Sequence, residues 1–568
     1  MIADPVRTAN INPSPYFREG GIAFGKIAII GLLAIFVVVG FWLRSADLSA
    51  ESLGEDEWKK LQTVEDYRAN GLTGANGEHP LLLKGMLTIS VSAAERWNAA
   101  VARDSESLHV PVETALRFPV TLLGALCSVL IFLIAAELFG IEVGLIAAAL
   151  WAFDPSAISF SRIAKEDVVM TFFFMLANVF LLRGQRAAEN GETNYIKWMW
   201  FTAIAYGAML ATKYFPHFLA ISAAYYYTFQ GLPSTRWRIG KMRWFVFLVI
   251  VGLSFLLFNP TILLPDTWRA ITSFLSENRV GYKVESSYEY IGTIYRNKLT
   301  LWLFGIPWHF FYVFILVKLP LTTIAGLVGG LALMFRKYLG DGRWFIFWWC
   351  FFWFMPFSVL GGKFTRYLVF VLPAIMMIAA IGISWFSRKL SDAAKRNGTV
   401  SLATRNAFFA VVLSIAALVP LIESVRVMPF YRLYTNALGG GMQNAGTYFP
   451  HDEFFDARLA ESAVFIAANA SANARVFSET PQLTEFHLRQ AGRDDLVSVW
   501  LSDPNELREM RPGDFVIDAR GRRYLSNDEM LTRLNETSAP AARINLGDIP
   551  AVKVFRIDET SLPIFQQD

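Results

Sequence analysis

Apolar residues along this chain come in long blocks rather than in alternation with polar ones. The first block, Ile27–Leu43, is followed by others near 118–138, 142–158, 168–182, 198–212, 215–230, 244–264, 301–317, 320–335, 343–360, 367–386 and 406–422. Most are uncharged windows of roughly 16–22 residues, and a helix needs about 20 apolar residues to cross the hydrocarbon core of a bilayer. The pattern predicts a polytopic α-helical membrane protein. A polar arm with Arg7, Arg18 and Lys26 precedes the first block and "SADLSA" follows it, which mimics a signal sequence. A block of this length behind basic residues reads instead as an uncleaved span with its N-terminus inside.

From about Asn436 the period changes. "ARVFSE", "LVSVWL", "DFVIDA" and "VKVFRID" read as strands, whereas "QLTEFHLRQAG" and "SNDEMLTRLNE" read as amphipathic helices. The chain therefore divides into a transmembrane domain, 1–436, with a first outer loop at 44–117, and a small α/β domain, 437–568, expected outside the cytoplasm.

Composition sharpens this reading. Of 568 residues, 54% are hydrophobic and only 18% charged, which excludes an ordinary soluble protein. The net charge of +4 is too small and too uneven to indicate nucleic acid. Cys127 and Cys350 both lie inside apolar blocks, so a disulfide framework or thiolate metal site is not expected. Basic residues gather in "RGQR" (Arg183, Arg186), "RWRIGKMR" (Arg236, Arg238, Lys241, Arg243), "RKYLGDGR" (Arg336, Lys337, Arg343) and "SRKLSDAAKR" (Arg388, Lys389, Lys395, Arg396). The positive-inside bias makes these four loops cytoplasmic. The second and third must then be joined by an even number of spans, yet three apolar blocks separate them. The block 301–317, with a Pro and a His mid-run, is the one expected not to cross. This gives 11 spans, or 13 if the polar stretch 265–299 adds half-helices.

With topology assigned, the remaining charges fall on the opposite face: Asp56 and Glu57; His79 and Lys84; Arg162, Lys165, Glu166 and Asp167; Lys213; Lys363 and Arg366. Charge at membrane depth costs about 2.5–3.5 kcal/mol on insertion scales, so such residues tend to face a cavity or a partner. Carboxylates supply a general base, and clustered Lys and Arg supply fixed positive charge for an anion such as a lipid phosphate. The chemistry suggested is transfer from a phosphate-linked lipid carrier to a hydroxyl or amine. A lipid-linked-sugar transporter would also hold charges in a membrane cavity, but the charges lie on one side and no inverted repeat is evident. A receptor or scaffold using the α/β tail is the third class.

The ordered motifs "DEW", "EHPLLLK", "RFPVTLLGAL", "SRIAKED…FFFML", "TKYFP", "VKLPL" and "GGKFTRYLVFVLPA", with "YRLYTNALGGG" behind them, resemble membrane glycosyltransferases of the protein O-mannosyltransferase family (glycosyltransferase family 39-like), whose relatives include the bacterial aminoarabinose transferases. The resemblance spans residue 27 to about 450. It implies the C-type membrane glycosyltransferase (GT-C) fold, a cavity on the outer face and a polyprenyl- or dolichyl-phosphate sugar donor. It also implies that Asp56 is the catalytic base, Glu57 the second acid of the pair, and Asp167 an acid near the active site. The mannosyltransferases carry His-Pro-Pro-Leu-Gly-Lys where this chain has "HPLLLK"; His79 and Lys84 remain, while the loop between them differs. The aminoarabinose transferases carry Lys-Pro-Pro, so His79 favours the mannosyltransferase side. The chain has no room for the eukaryotic β-trefoil insert, which fits a bacterial or archaeal member.

The expected reaction is a single in-line displacement at the anomeric carbon. Asp56 takes the acceptor proton, and cations stabilise the leaving phosphate in place of a general acid. Lys363 and Arg366 are the leading candidates for that role, with Lys84, Arg162, Lys165 and Lys213 in support. His79, Trp308 and Tyr312 are candidate sugar or headgroup contacts. This logic requires no metal. The acceptor is a protein Ser/Thr or, on the aminoarabinose-transferase pattern, lipid A or another envelope glycolipid. The expected location is the bacterial inner membrane, N-terminus inside.

Overall fold

The computed structural model describes residues 25–103, 105–230, 239–280, 287–297, 305–394 and 401–566. Arg7, Arg18, Arg236, Arg238, Lys395, Arg396 and the start of the 301–317 block lie outside them.

Helices stand where the apolar blocks were read. They are Lys26–Ser45, Val112–Phe139, Ile141–Phe153, Glu166–Glu189, Tyr195–Leu210, Leu219–Gln230, Lys241–Phe258, Phe310–Lys318, Leu321–Met334, Gly342–Val359, Leu372–Ala393 and Leu402–Val427. Among the described residues, six helices are long and apolar enough to cross a membrane by length and composition. Phe310–Lys318 has only 9 residues; at 1.5 Å per residue it reaches about 14 Å, less than half of a ~30 Å hydrocarbon core. It is the block that loop charge had marked as not crossing. The stretch 265–299 contributes the helix Pro265–Val280 and a hairpin of β1 (Ser287–Tyr290) and β2 (Thr293–Arg296).

Outward faces of the long helices are bare and apolar. In Leu402–Val427 the exposed residues Val411, Ile415, Leu418 and Ile422 recur at helical spacing on one face, a surface that only lipid or another apolar helix covers at low cost. The opposite condition holds where Leu321–Met334 crosses Leu372–Ala393. A Cβ at Gly330 would collide with the Ile378 carbonyl, and one at Gly382 with the Gly326 carbonyl, so these glycines let the two backbones approach closely.

The C-terminal region holds five strands in the order β4-β3-β5-β7-β6. They are β3 (Arg475–Ser478), β4 (Val497–Trp500), β5 (Phe515–Ala519), β6 (Ala542–Leu546) and β7 (Ile549–Arg556). β3 pairs parallel with β4 and β5, while β7 pairs antiparallel with β5 and β6. Pro481–Gln490 and Asp528–Thr537 are the two predicted amphipathic helices. β6 was not read in advance, because its half-buried apolar positions alternate with exposed polar ones over only five residues.

Candidate active site

Two segments from the first and second predicted outer loops build the site. The helix Glu55–Asn70 begins with three acids in its first turn, where the helix dipole favours negative charge. Asp56 and Lys60, four residues apart, share one face, and Glu57 points away from it. The second segment is "SRIAKED", in which Lys165 precedes the helix Glu166–Glu189.

Three consecutive residues of that segment meet four partners. Lys165 Nζ lies 2.9 Å from Asp56 Oδ1. Glu166 pairs with Lys60 and stands 3.4 Å from His79 Nδ1. Asp167 Oδ1 is 2.5 Å from Lys213 Nζ. Arg366 closes the set, with Nη2 3.5 Å from Asp56 Oδ2 and Nε 3.7 Å from Asp167 Oδ2. Four cations thus face three carboxylates, with one positive charge in excess. Burial disfavours charge on His79, Glu166 only partly offsets this, and its pKa falls well below the ordinary histidine value; it sits here as a neutral ring. Burial also opposes ionisation of Asp56, but Lys165 and Arg366 outweigh it and hold the carboxyl far below the usual carboxylate range.

Exposure separates the groups. The Asp56 side chain is 28% exposed and that of Asp167 only 7%. Asp56 and Arg366 line an open cavity of about 890 Å³ whose walls also include Glu57, Arg162, Thr365, Tyr431, Arg432 and Asp452. A smaller chamber of about 300 Å³ shares Thr365, Tyr431, Arg432 and Asp452 with it and adds Lys318 and Glu453.

Sequence reasoning brought Asp56, Lys165, Asp167, Lys213, Arg366 and His79 into one cluster, and the geometry keeps them there. Other candidates are engaged elsewhere. Glu57 accepts from Arg117 Nε and Nη2 at 2.8 and 2.5 Å and from the Ala164 and Gly54 N–H groups at 2.9 and 3.2 Å. Arg162 donates to the carbonyls of Arg44, Ala46 and Asp47 at 2.6–2.9 Å, where the first helix ends. Lys84 Nζ donates to the Ala75 and Asn76 carbonyls, both at 2.9 Å. Lys363 Nζ donates to the Phe357 and Ser358 carbonyls at 2.5 and 2.9 Å, at the end of Gly342–Val359. Burial pushes Lys84 and Lys363 down to about 7, which makes them weaker fixed charges than Arg366. Trp308 packs against His309 and Tyr312, and Tyr312 stacks on Phe354; neither lines the cavity.

Residues that sequence reasoning missed are Lys60, Arg117, Arg432 and Asp452. Lys60 was legible as the residue one turn beyond Asp56. Asp452 was not, because it arrives from the C-terminal region; its Oδ2 accepts the Thr365 N–H at 2.9 Å, and burial raises its pKa to about 6.

The Glu57–Arg117 pair fastens the start of the Asp56 helix. Arg117 spends its other donors on the carbonyls of Leu48, Glu51 and Ser52. Glu57→Ala would leave a buried guanidinium without its counter-charge, a loss of about 3–5 kcal/mol. Thermal unfolding of the purified variant is expected to show a large fall in midpoint; an unchanged midpoint would refute this.

Residues 102–264, which supply Lys165, Asp167 and Lys213, match the family model described as dolichyl-phosphate-mannose-protein mannosyltransferase. No curated protein matches the chain by sequence. Among solved structures, ArnT from Cupriavidus metallidurans bound to undecaprenyl phosphate is 15% identical, over 94% of this chain and 98% of that one, with a TM-score of 0.49. The oligosaccharyltransferase of Archaeoglobus fulgidus tethered with an acceptor peptide is 12% identical over 87% of this chain and 69% of that one, TM-score 0.49. The Pmt1-Pmt2 protein O-mannosyltransferase complex of S. cerevisiae bound to the sugar donor is 17% identical over 51% and 42%, TM-score 0.33. The family match covers the loop that feeds the cluster, and the ordered motifs on both sides of it resemble the same family, so the chain is similar to the membrane glycosyltransferases of the protein O-mannosyltransferase and aminoarabinose transferase family.

Proposed function

We propose that the protein moves a mannose-type sugar from a polyprenyl- or dolichyl-phosphate carrier to an acceptor hydroxyl outside the cytoplasm, with inversion at the anomeric carbon. The observation that carries this reading is Asp56, the most open carboxylate of the cluster, held between Lys165 and Arg366 at the wall of the cavity. The acceptor oxygen attacks the anomeric carbon while its proton passes to Asp56. The carbon–oxygen bond to the phosphate breaks on the opposite face, and its electrons leave with the carrier phosphate. Arg366, backed by Lys165 and Lys213, stabilises that charge. Glu57 and Asp167 hold the helix start and the cations in place. Asp452 and Arg432, at the junction with the smaller chamber, are suited to sugar hydroxyls. A protein Ser/Thr is the acceptor on this reading.

The placement of charge supports the orientation. Arg186 lies 20 residues along its helix from Glu166, about 30 Å at 1.5 Å per residue, so the basic segment of Arg183 and Arg186 stands one helix length from the cluster. The C-terminal α/β region, 437–568, lies on the cavity side, outside the cytoplasm.

The test is reconstitution of the purified protein in vesicles with a polyprenyl-phosphate mannose and a Ser/Thr peptide. Glycopeptide of inverted anomeric configuration is expected. Retained configuration would defeat the single displacement, and product on envelope lipid alone, read by mass spectrometry of a deletion strain, would replace the protein acceptor.

A further inference from the structure

The helix that carries Asp56 cannot cap its own start. It follows Gly54, which has no side chain to offer, and although Glu57 returns an oxygen to the Gly54 N–H at 3.2 Å, the Glu55 N–H needs a partner from elsewhere. That partner is Asp456, 401 residues further along, whose Oδ2 accepts the Glu55 N–H at 2.8 Å. Arg522 grips both oxygens of Asp456, at 2.8 and 2.7 Å, and reaches Glu55 Oε2 at 3.0 Å. Asp456 and Arg522 are 4% and 8% exposed. The gripping loop is itself unusual: Asp456 and Arg458 take φ of +51° and +63°, a region non-glycine residues enter uncommonly, and Arg458 reaches back to the Ala50 carbonyl at 3.3 Å.

We infer that Asp456 is a positioning residue for the transfer reaction: it caps in trans the helix whose second residue is Asp56, so that the C-terminal region, through Arg522, sets where Asp56 sits between Lys165 and Arg366. A side-chain oxygen on a helix's first N–H groups fixes where the helix begins. Glu55 adjoins Asp56, so a frayed or shifted start carries the carboxylate out of its place. The inference rests on Asp56 being the base. Lys165, Arg366, His79 and Tyr367 face Asp56 from the packed segments and Lys59 and Lys60 from its own helix; Asp456 faces Arg522 and Tyr524 and, at longer range, Arg432 and His487.

Full-length protein in vesicles with a polyprenyl-phosphate sugar provides the test. Asp456→Ala is expected to lower kcat by about 10- to 100-fold, the order of loss that a 1 Å misplacement brings, with donor KM unchanged. The acid limb of kcat/KM should move to higher pH, because a loosened Asp56 is held less firmly between its cations. A merely structural contact would lower the unfolding temperature and leave kcat and the limb at wild-type values, which would overturn the inference. If Asp456→Ala does not fold, Arg522→Lys keeps the charge but loses the two-oxygen grip; it should move the limb the same way by less, and an unmoved limb refutes the role. Asp56→Asn, measured alongside, separates the failures. Retained turnover there defeats the base reading, whereas an inactive Asp56→Asn beside a wild-type-like Asp456→Ala defeats only the positioning role.

Discussion

Asp56→Asn is expected to lower turnover by about 10²–10⁴-fold, the usual contribution of a positioned general base, while the protein folds and still binds the donor. Asparagine keeps the shape and one acceptor oxygen but cannot take a proton. It also removes a negative charge 2.9 Å from Lys165 and 3.5 Å from Arg366, so those cations become more available to phosphate and donor affinity should equal or exceed wild type. A variant with near-normal turnover, or one that loses donor binding along with activity, would defeat the assignment.

The same pair of cations gives a pH signature. In the free protein Asp56 faces both and is held far below the ordinary carboxylate range. A carboxyl with a depressed pKa is ionised above that pKa and is lost as a base only when pH falls through it, so the acid limb of kcat/KM, which reports the free enzyme, should lie far into acid. On the proposed function a bound donor phosphate would take a share of Arg366 and Lys165, which would weaken the stabilisation of the carboxylate and raise its proton affinity. The acid limb of kcat, which reports the donor complex, should therefore lie at higher pH than that of kcat/KM. On the proposed function, donor binding would thus turn a resting ion-pair partner into a stronger base. Coincident limbs, or the reverse order, would contradict the shared-cation arrangement.

Much of this architecture was legible in the sequence because lipid imposes simple rules. Blocks of apolar residues marked where the helices lie, with ends up to seven residues off, and loop charge singled out 301–317, where the described residues hold only the 9-residue helix Phe310–Lys318. The breaks inside blocks were not read. Ile141–Phe153 stops at Asp154, which accepts the Ala157 N–H at 2.8 Å and starts a new short helix; a single buried Asp among apolar residues changes the average of a window very little. The approach of Gly330 to Ile378 depends on the mutual position of two helices distant in sequence, which block length does not encode.

Within the site, the charges that met are those that found a partner of opposite sign in space. Asp56, Lys165, Asp167, Lys213 and Arg366 pair with one another. Lys84, Arg162 and Lys363 carry the same kind of charge near the same face, yet each folds back onto backbone carbonyls at the end of a turn or helix, a favourable place for a cation. Sequence alone does not distinguish a cation kept for a ligand from one spent on a helix end, because both requirements select Lys or Arg beside an apolar run. Asp452, Asp456 and Arg522 were hidden for another reason. They belong to the C-terminal region, whose strands and amphipathic helices read as a separate unit, and nothing in that pattern says it is docked against Glu55 and Thr365.

Arg366→Ala is expected to weaken donor affinity by about 10- to 100-fold, the equivalent of one hydrogen bond to a charged group of roughly 1.5–3 kcal/mol. Its two ion pairs are long, 3.5 and 3.7 Å, and its Nε and the Asp167 Oδ2 beside it are buried without a hydrogen-bond partner among the described residues. A guanidinium so placed is oriented but not saturated. Its Cζ lies over the Phe364 ring, 4.5 Å from the centroid, a contact that holds the guanidinium without consuming donors. Two of its N–H groups can then donate side by side to a phosphate, a geometry an ammonium does not reproduce. Arg366→Lys should accordingly recover charge but not the fork, with donor KM between those of Arg366→Ala and wild type. Arg366→Glu should abolish binding and, by adding a third carboxylate beside Asp56 and Asp167, lower turnover further. Equilibrium binding of polyprenyl phosphate without sugar isolates the phosphate contact from the chemistry; equal affinity in wild type and Arg366→Ala would remove Arg366 from the donor site and leave Lys165 and Lys213 to hold the anion.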